Sequence, residues 1–452
     1  MRNLKCTLVA AIVLAVVFCG VSAFADHGRA PKNMILCVSD GCGYGHVDAA
    51  SLFQHGRTGT QVYEAFPVRL AMATFMYGGS YEPEKAWRDF WYVTKGATES
   101  AAAATAMSTG HKTFSGAVGV DTQLNPLEHL IEKLERRGWA TGVITSVEWS
   151  HATPAGFVAH NSSRNNYVEI VREMVYQSAV DVIMGCGHPL FDADGKPKLQ
   201  EQSEDFKYVG GRDVWTDLAT GRAAGDADGD GIGDPWVLIQ TRHEFKSLMT
   251  GSTPKRVLGT AQVEKTLQEG RGGDKYADPY VIPLIETVPT LEEMTMAALN
   301  VLDDDPDGLF LLIEGGAVDW AAHGNLTGRV IEEQIDFNRA VEAVVAWVDR
   351  KSSWDETLVM VTGDHETGYL TGPGSGPTVD GPVWKPLVNN GAGDLPGVRW
   401  WSEGHTNSLV PFFAKGVGAA RFKQRADQED PVGGPYLDNT VIARTMAEIV
   451  VP

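Results

Sequence analysis

The chain has 452 residues, with 58 acidic against 38 basic side chains and a formal charge of −20. That balance excludes nucleic acid and anionic membrane surfaces as favoured partners, and leaves an anionic substrate to be attracted locally by arginine or bound cations. Five cysteines are too few for a disulfide scaffold, and no CxxC or zinc-finger spacing occurs, so any metal must bind through carboxylate and imidazole.

Residues 1–25 read as a signal peptide rather than fold. Arg2 and Lys5 supply the charged start, Cys6–Val21 the apolar run, and Ala23-Phe24-Ala25 a cleavage site before Asp26. Bulky Phe18 ahead of Cys19 argues against a lipoprotein. Removing Arg2 and Lys5 takes the charge from −20 to −22 and leaves Cys37, Cys42 and Cys186. No later stretch is apolar enough to span a bilayer. The expectation is an exported protein, periplasmic or extracellular, without a membrane anchor, folded over residues 26–452.

In chain order, Met34–Ser39 (MILCVS) reads as a buried strand running into Asp40-Gly41-Cys42-Gly43. Pro126–Arg137 has a helical pattern, Ala140–Val147 is a second strand, and Tyr167–Val180 a second helix. Residues 185–285 break this alternation with Gly and Asp. Leu291–Leu302 is helical, Leu309–Ile313 (LFLLI) is a strand ending at Glu314, and Arg329–Asp349 is helical. Leu358–Thr362 (LVMVT) is a strand running into Gly363, Asp364 and His365. Residues 372–403, rich in Gly, Pro and Trp, interrupt again. Alternating buried strands and amphipathic helices predict an α/β fold with a mostly parallel central sheet flanked by helices. Both irregular regions read as insertions over the sheet's edge, the second roofing the site. Ligands in such folds bind beyond the carboxyl ends of the strands, where these acidic and histidine residues cluster.

Several of these residues carry chemistry. Asp319 and His323 are four apart, so on a helix they share a face and can hold one ion, with Glu314 close enough to serve a second. Ser100 opens the alanine-rich run SAAAATAMSTG, at or near a helix N-terminus where free amides and the dipole favour a phosphate. A serine N-cap is the ordinary role there. No G-x-S-x-G elbow surrounds Ser100, which leaves direct metal coordination as its means of activation. Asp226-Ala-Asp-Gly-Asp-Gly-Ile-Gly-Asp234 places Asp226, Asp228, Asp230 and Asp234 at positions 1, 3, 5 and 9 of a calcium-type loop, but Val237 stands where an EF-hand needs glutamate. A Ca²⁺ loop and an acidic surface turn both fit. His111, His160 and His188 read as structural, and Cys42 as a packed residue.

Five blocks extend these observations: TESAAAATAMSTGHKTFSGAVGVD (Thr98–Asp121), ATPAGFVAHNSSR (Ala152–Arg164), EGGAVDWAAH (314–323), TGDHETG (362–368) and EGHTN (403–407). In that order they resemble the nucleophile, arginine and metal blocks of the alkaline phosphatases; the two irregular regions are not covered. The resemblance implies a metal-dependent phosphomonoesterase with two Zn²⁺ and one Mg²⁺, often a homodimer, acting on small phosphate monoesters. It assigns Asp319, His323 and His405 to the first zinc. Asp40, Asp364 and His365 go to the second, with Ser100 as nucleophile and ligand forming a phosphoserine. Asp40, Thr153 and Glu314 go to the third ion, and Arg164 to two phosphate oxygens. Three positions depart from the pattern. Glu99 stands where the family usually has Asp, and His151 and Trp320 where the best-known bacterial members have Asp and Lys. His151 adds a nitrogen donor near the third site, which then suits Zn²⁺ as well as Mg²⁺, and loss of the lysine loosens phosphate. The alternatives are a phosphodiesterase or sulfatase of the same superfamily, or a secreted calcium- or metal-binding protein. Arg164 disfavours the diesterase, Ser100 lacks a sulfatase's C/S-x-P-x-R context, and a binding protein leaves both residues unexplained. A related phosphoglycerate mutase core is disfavoured by the export signal.

Overall fold

The computed structural model describes residues 30–227 and 231–450. The signal-peptide reading, Asp228 and Asp230 therefore lie outside the described residues. Eleven strands form the central sheet: β1 (Asn33–Ser39), β2 (Val68–Ala73), β3 (Ala140–Glu148), β4 (Val182–Cys186), β5 (Val237–Ile239), β6 (Val257–Thr260), β7 (Leu309–Gly315), β8 (Thr357–Gly363), β9 (Val410–Gly416), β10 (Gln428–Asp430) and β11 (Gly434–Asp438). Their order is β10-β11-β2-β9-β8-β1-β7-β3-β4-β6-β5. From β8 to β5 every pairing is parallel, whereas β9 runs antiparallel to both β8 and β2. The fold is α/β, with a large mixed but mostly parallel sheet flanked by helices.

The central strands are apolar throughout because both of their faces are covered. All of β1, β3, β7 and β8 is buried. Alternate residues divide between two cores, as the two-residue period of a strand requires. Met34, Leu36, Val38, Phe310, Leu312, Leu358 and Met360 pack on one face with Met107 and Phe157. Ile35, Cys37, Leu311, Ile313, Val359 and Val361 pack on the other with Leu299, Val341 and Trp347. Each such side chain contributes about 1.5–3 kcal/mol by burial. Register then sets the site: Ser39 pairs with Gly315 on one side and Gly363 on the other, and Thr145 with Glu314. The polar residues that follow these strands must therefore emerge at one level.

The helix expected over Leu291–Leu302 has those bounds, and that over Arg329–Asp349 extends to Thr327–Lys351. The Pro126–Arg137 pattern yields only Leu130–Glu135, because the Glu132 carboxylate accepts from the His129 backbone N–H and starts the helix there. The Tyr167–Val180 helix ends at Tyr176, as the chain turns into β4. Residues 185–285 contain β5 and β6, so this region extends the sheet rather than lying over its edge. Residues 372–403 include a short hairpin and pack Leu387, Leu395, Val398 and Trp400 against Ala49, Ala50, Ile331 and Leu370. Their side chains line none of the cavity described below, and the Glu403 carbonyl at their end reaches His323 beside it.

Candidate active site

Ser100 begins the helix Ser100–Thr109, whose residues are all buried. Its alanines allow close packing on the helix Ala152–Val158: a Cβ at Gly156 would lie 2.6 Å from that of Ala104. This contact brings His151 and Thr153 beside Ser100. The cap is Glu99, not Ser100. Glu99 accepts from Ala101 N and Ala102 N at 3.0 and 2.8 Å, and its Oε1 also accepts from Gly116 N at 2.8 Å. This corrects the expectation of free amides for phosphate, since Glu99 occupies two of them. It also leaves Ser100 Oγ uncommitted to capping. Ser100 Oγ lies 3.4 Å from Asp40 Oδ2 and 3.5 Å from His365 Nε2.

The chain delivers its acids and histidines from several strand ends. Asp40 follows β1, Glu314 lies in β7, Asp319 and His323 are on the helix Ala317–His323, and Asp364 and His365 follow β8. His405 arrives on a short antiparallel ladder that pairs it with Thr367. Asp40, Glu314, Asp364 and His365 are fully buried.

Hydrogen bonds fix which nitrogen of each ring is available. Nδ1–H of His323 donates to the Glu403 carbonyl at 2.5 Å, and that of His405 to the Thr98 carbonyl at 2.9 Å. Thr367 Oγ1 donates to Asp319 Oδ1 at 2.5 Å, so it accepts from His365 Nδ1 at 3.3 Å. Each ring therefore turns an Nε2 lone pair inward. Those lone pairs face other acceptors. His365 Nε2 is 3.4 Å from Asp40 Oδ1 and 3.3 Å from Asp364 Oδ2. His405 Nε2 is 3.4 Å from Asp319 Oδ1 and 3.1 Å from His323 Nε2, and His323 Nε2 is 3.3 Å from Asp319 Oδ2. Ligands around a tetrahedral zinc stand about 3.3 Å apart. Asp40 Oδ1, Asp364 Oδ2, Glu314 Oε1 and Thr153 Oγ1 are buried without a hydrogen-bond partner. Acceptors facing acceptors in a dry pocket repel unless cations lie between them. The residues thus fit bound metal ions.

At the buried carboxylates the electrostatics agree, while Asp319 raises His323 to about 9, so without an ion that ring carries a proton toward Asp319 that a metal would replace. Burial, then the charges of Asp364, Asp319 and Glu314, holds the Asp40 carboxyl well above its ordinary range. Burial raises Glu314 to about 7 and Asp364 to about 6. Without counter-charge these carboxylates resist ionising together; with cations they become ligands.

Arg164 bridges two of the three departures from the family pattern, Glu99 and His151. Its Nη1 donates to Glu99 Oε2 at 2.6 Å and its Nη2 to His151 Nε2 at 2.9 Å. The longer Glu99 carboxylate therefore does position Arg164. Burial, and then the Arg164 charge, lowers His151 to about 3, so the ring is neutral. A neutral imidazole has one lone pair, and here Arg164 takes it. His151 lies in one cluster with Asp40 and Glu314, yet in this arrangement it serves the arginine. Trp320 packs edge-on to His151, ring centroids 5.8 Å apart. Ser100, His151, Arg164, Asp319, Trp320, His323 and His405 line one cavity of about 440 Å³.

A buried serine, an arginine fork and a set of facing metal donors thus converge at the strand ends. The alkaline phosphatase family model matches residues 31–386. The chain belongs to the alkaline phosphatase family. It is 29% identical over 347 residues to alkaline phosphatase 3 of Bacillus subtilis, a match covering 75% of this chain and 61% of that protein. With alkaline phosphatase 4 of the same organism the match spans 50% of the relative's length. The Escherichia coli alkaline phosphatase is 27% identical over 434 residues, covering 88% of this chain and 84% of that one. Among solved structures, the alkaline phosphatase of the Antarctic bacterium TAB5 superposes with a TM-score of 0.63 at 22% identity, over 94% of this chain and 99% of that one. The cold-active alkaline phosphatase of a Shewanella species does so at 0.65 and 24%, over 92% and 99%. These structures share the fold.

Some residues of the site went unread in the sequence. Thr145 donates to Glu314 Oε2 from the neighbouring strand, and a hydroxyl inside the apolar run ATGVITSV was the available signal. Thr367, inside the TGDHETG block, links His365 to Asp319. The carbonyls of Thr98 and Glu403 carry no side-chain signature at all. The Asp226–Asp234 turn stands apart from this site: Asp226 Oδ2 accepts from Gly231 N at 3.0 Å and Asp234 Oδ2 from Ala227 N at 2.9 Å. Cys42 is buried in the core, as are Cys37 and Cys186, and all three are free thiols. No helix of the described residues is long and apolar enough to cross a membrane.

Proposed function

We propose that this chain is an exported, metal-dependent phosphomonoesterase that forms a phosphoserine on Ser100 and releases inorganic phosphate. The observation that carries this reading is Ser100 Oγ, unneeded for capping and 3.4 Å from Asp40, in the same cavity as the Arg164 fork. Asp319, His323 and His405 would hold one ion. Asp40, Asp364 and His365 would hold a second, and Asp40, Glu314 and Thr153 a third; zinc suits the histidine-rich pair and magnesium the oxygen-rich third. Bound there, such ions supply Lewis-acid charge to the phosphoryl oxygens and lower the pKa of a coordinated hydroxyl or water.

The chain's own residues do the rest. Arg164, held by Glu99 and His151, presents its planar guanidinium to two non-bridging oxygens; a monoester then still has a third for the ions and a second negative charge, whereas a diester has only two such oxygens and one charge. Ser100 Oγ displaces the leaving alcohol in line, and water then attacks the phosphoserine to return the serine. Trp320 encloses the cavity without adding charge, so product phosphate is held by Arg164 and the ions alone. A variant of the TAB5 protein with a histidine replaced by aspartate has Mg bound in its M3 site. That supports reading His151 as the residue that tunes the third ion here. The test compares p-nitrophenyl phosphate with bis-p-nitrophenyl phosphate on one preparation, before chelation, after it, and after readdition of zinc, magnesium or calcium. The monoester should be preferred, with activity lost on chelation and restored by zinc with magnesium. Activity surviving full chelation, or preference for the diester, would refute the proposal.

A further inference from the structure

A second group of metal donors lies outside the catalytic cavity. His129 precedes the helix Leu130–Glu135, Glu132 is within it, and His160 follows the helix Ala152–Val158. One ligand atom from each lies within 4.8 Å of the others. His129 Nδ1 is 3.4 Å and His160 Nε2 is 3.9 Å from Glu132 Oε2, and the two rings lie tilted against each other with centroids 4.3 Å apart.

His129 is the informative residue. It is 0% exposed, and neither ring nitrogen has a hydrogen-bond partner. A histidine buried with both nitrogens idle forfeits the hydrogen bonds it makes in water, which a fold rarely tolerates without a ligand. The ring is also closely housed. Gly119 has a φ of +59°, and a Cβ there would fall 2.5 Å from His129 Nε2, so Nδ1 is the nitrogen turned toward Glu132. Ion pairs with the nearby carboxylates would account for His160 and, at 3.4 Å, for His129 Nδ1 only loosely, and they leave His129 Nε2 without a partner.

His160 is set up as a ligand in a second respect. Its Nδ1 lies 2.8 Å from Glu173 Oε1, an arrangement in which a carboxylate holds the Nδ1 proton and leaves Nε2 for a metal. The Leu127 carbonyl lies 2.9 Å from that Nε2 and accepts its proton when no ion is bound, so an ion there would replace that proton and find the carbonyl oxygen beside it. Glu132 is 40% exposed, which gives an ion a way in from solvent. The donor set of two imidazoles and a carboxylate is one that zinc favours.

We propose that His129, Glu132 and His160 hold a divalent cation of the zinc type, separate from the catalytic ions, that staples the chain behind Arg164. The segments it would tie are already adjacent. Val118 bridges Asn161, and Arg164 N donates to the Gly116 carbonyl at 2.7 Å, so the staple sits at the base of the turn that presents the guanidinium. The ion is structural and takes no part in phosphoryl transfer.

The test strips the whole protein with chelator, reloads it with zinc, desalts it and counts zinc per chain by plasma mass spectrometry. Glu132→Gln and His129→Gln are each expected to lose one zinc equivalent relative to the parent while turnover of p-nitrophenyl phosphate is unchanged. Zinc content equal to the parent's in both variants overturns the proposal, whatever the catalytic sites contain. If neither variant folds, anomalous diffraction from zinc-reloaded parent crystals decides. A peak between His129 Nδ1 and His160 Nε2 supports the site, and its absence there overturns it.

Discussion

The strand-end cluster around Asp40 and the turn from Asp226 to Asp234 are both rich in carboxylates, and they differ in what surrounds those carboxylates. At the strand ends Asp40, Glu314 and Asp364 are fully buried, each with an oxygen that accepts no hydrogen bond, and His365 Nε2 faces Asp40 and Asp364 at 3.4 and 3.3 Å. In the turn, Asp226 and Asp234 accept from backbone amides of their own loop. Acidic residues that close a turn are already satisfied; acidic residues stranded in a dry pocket demand a cation. Counting carboxylates ranks the two regions together, whereas asking what the oxygens of the described residues accept separates them.

The largest effect that would test this contrast is at the nucleophile. Ser100→Ala should lower kcat for p-nitrophenyl phosphate by on the order of 10⁴-fold or more, because the covalent route is removed. A steady-state rate near the parent's would detach the cluster from the chemistry. Next is Asp364→Asn, which neutralises one stranded carboxylate and is expected to cost about 100-fold or more in kcat/KM together with bound zinc. Both losses should appear in the same preparation, by rate assay and metal analysis. Glu99→Gln weakens the charged partner of Arg164 and should raise KM by about tenfold, the scale of one charge-assisted hydrogen bond. A purely structural cap would change thermal stability and leave KM alone. His151→Asp exchanges a ring committed to Arg164 for an oxygen donor, and should lower the magnesium concentration for half-maximal activity about tenfold. The smallest effect belongs to the turn: Asp226→Asn with Asp234→Asn should leave activity and zinc content unchanged and stability within about 0.5 kcal/mol. Loss of activity in that double variant would erase the distinction drawn between the two regions.

Much of this arrangement is legible in the sequence, for reasons that also mark its limits. Apolar runs such as LFLLI and LVMVT announce buried parallel strands, and the polar residues after them announce the site, because parallel register forces those ends to one level. Helix ends are less legible. The helix starts at Leu130, four residues after Pro126, because Glu132 accepts a hydrogen bond from the His129 backbone N–H that no periodicity displays. The capping role of Glu99, which removes two amides from phosphate binding, depends on a rotamer and not on a spacing. The same holds for His151, whose lone pair could serve an ion or Arg164 and is assigned only by a 2.9 Å contact. Residues 185–285 read as an insertion because Gly and Asp hide the short strands Val237–Ile239 and Val257–Thr260, which are too brief to show a period. His160 reads as structural in isolation, since His129 and Glu173 reach it only through the tertiary fold.

The most direct measurement of the central claim is the covalent state of Ser100 during turnover. The protein is mixed with a phosphate monoester, quenched in acid within the steady state, digested, and the peptide carrying Ser100 is analysed by mass spectrometry. The account predicts a phosphoryl group on Ser100 that is absent after chelation and absent in Ser100→Ala. Sustained hydrolysis with no phosphoryl group on that peptide, or with one elsewhere that persists in Ser100→Ala, would contradict it.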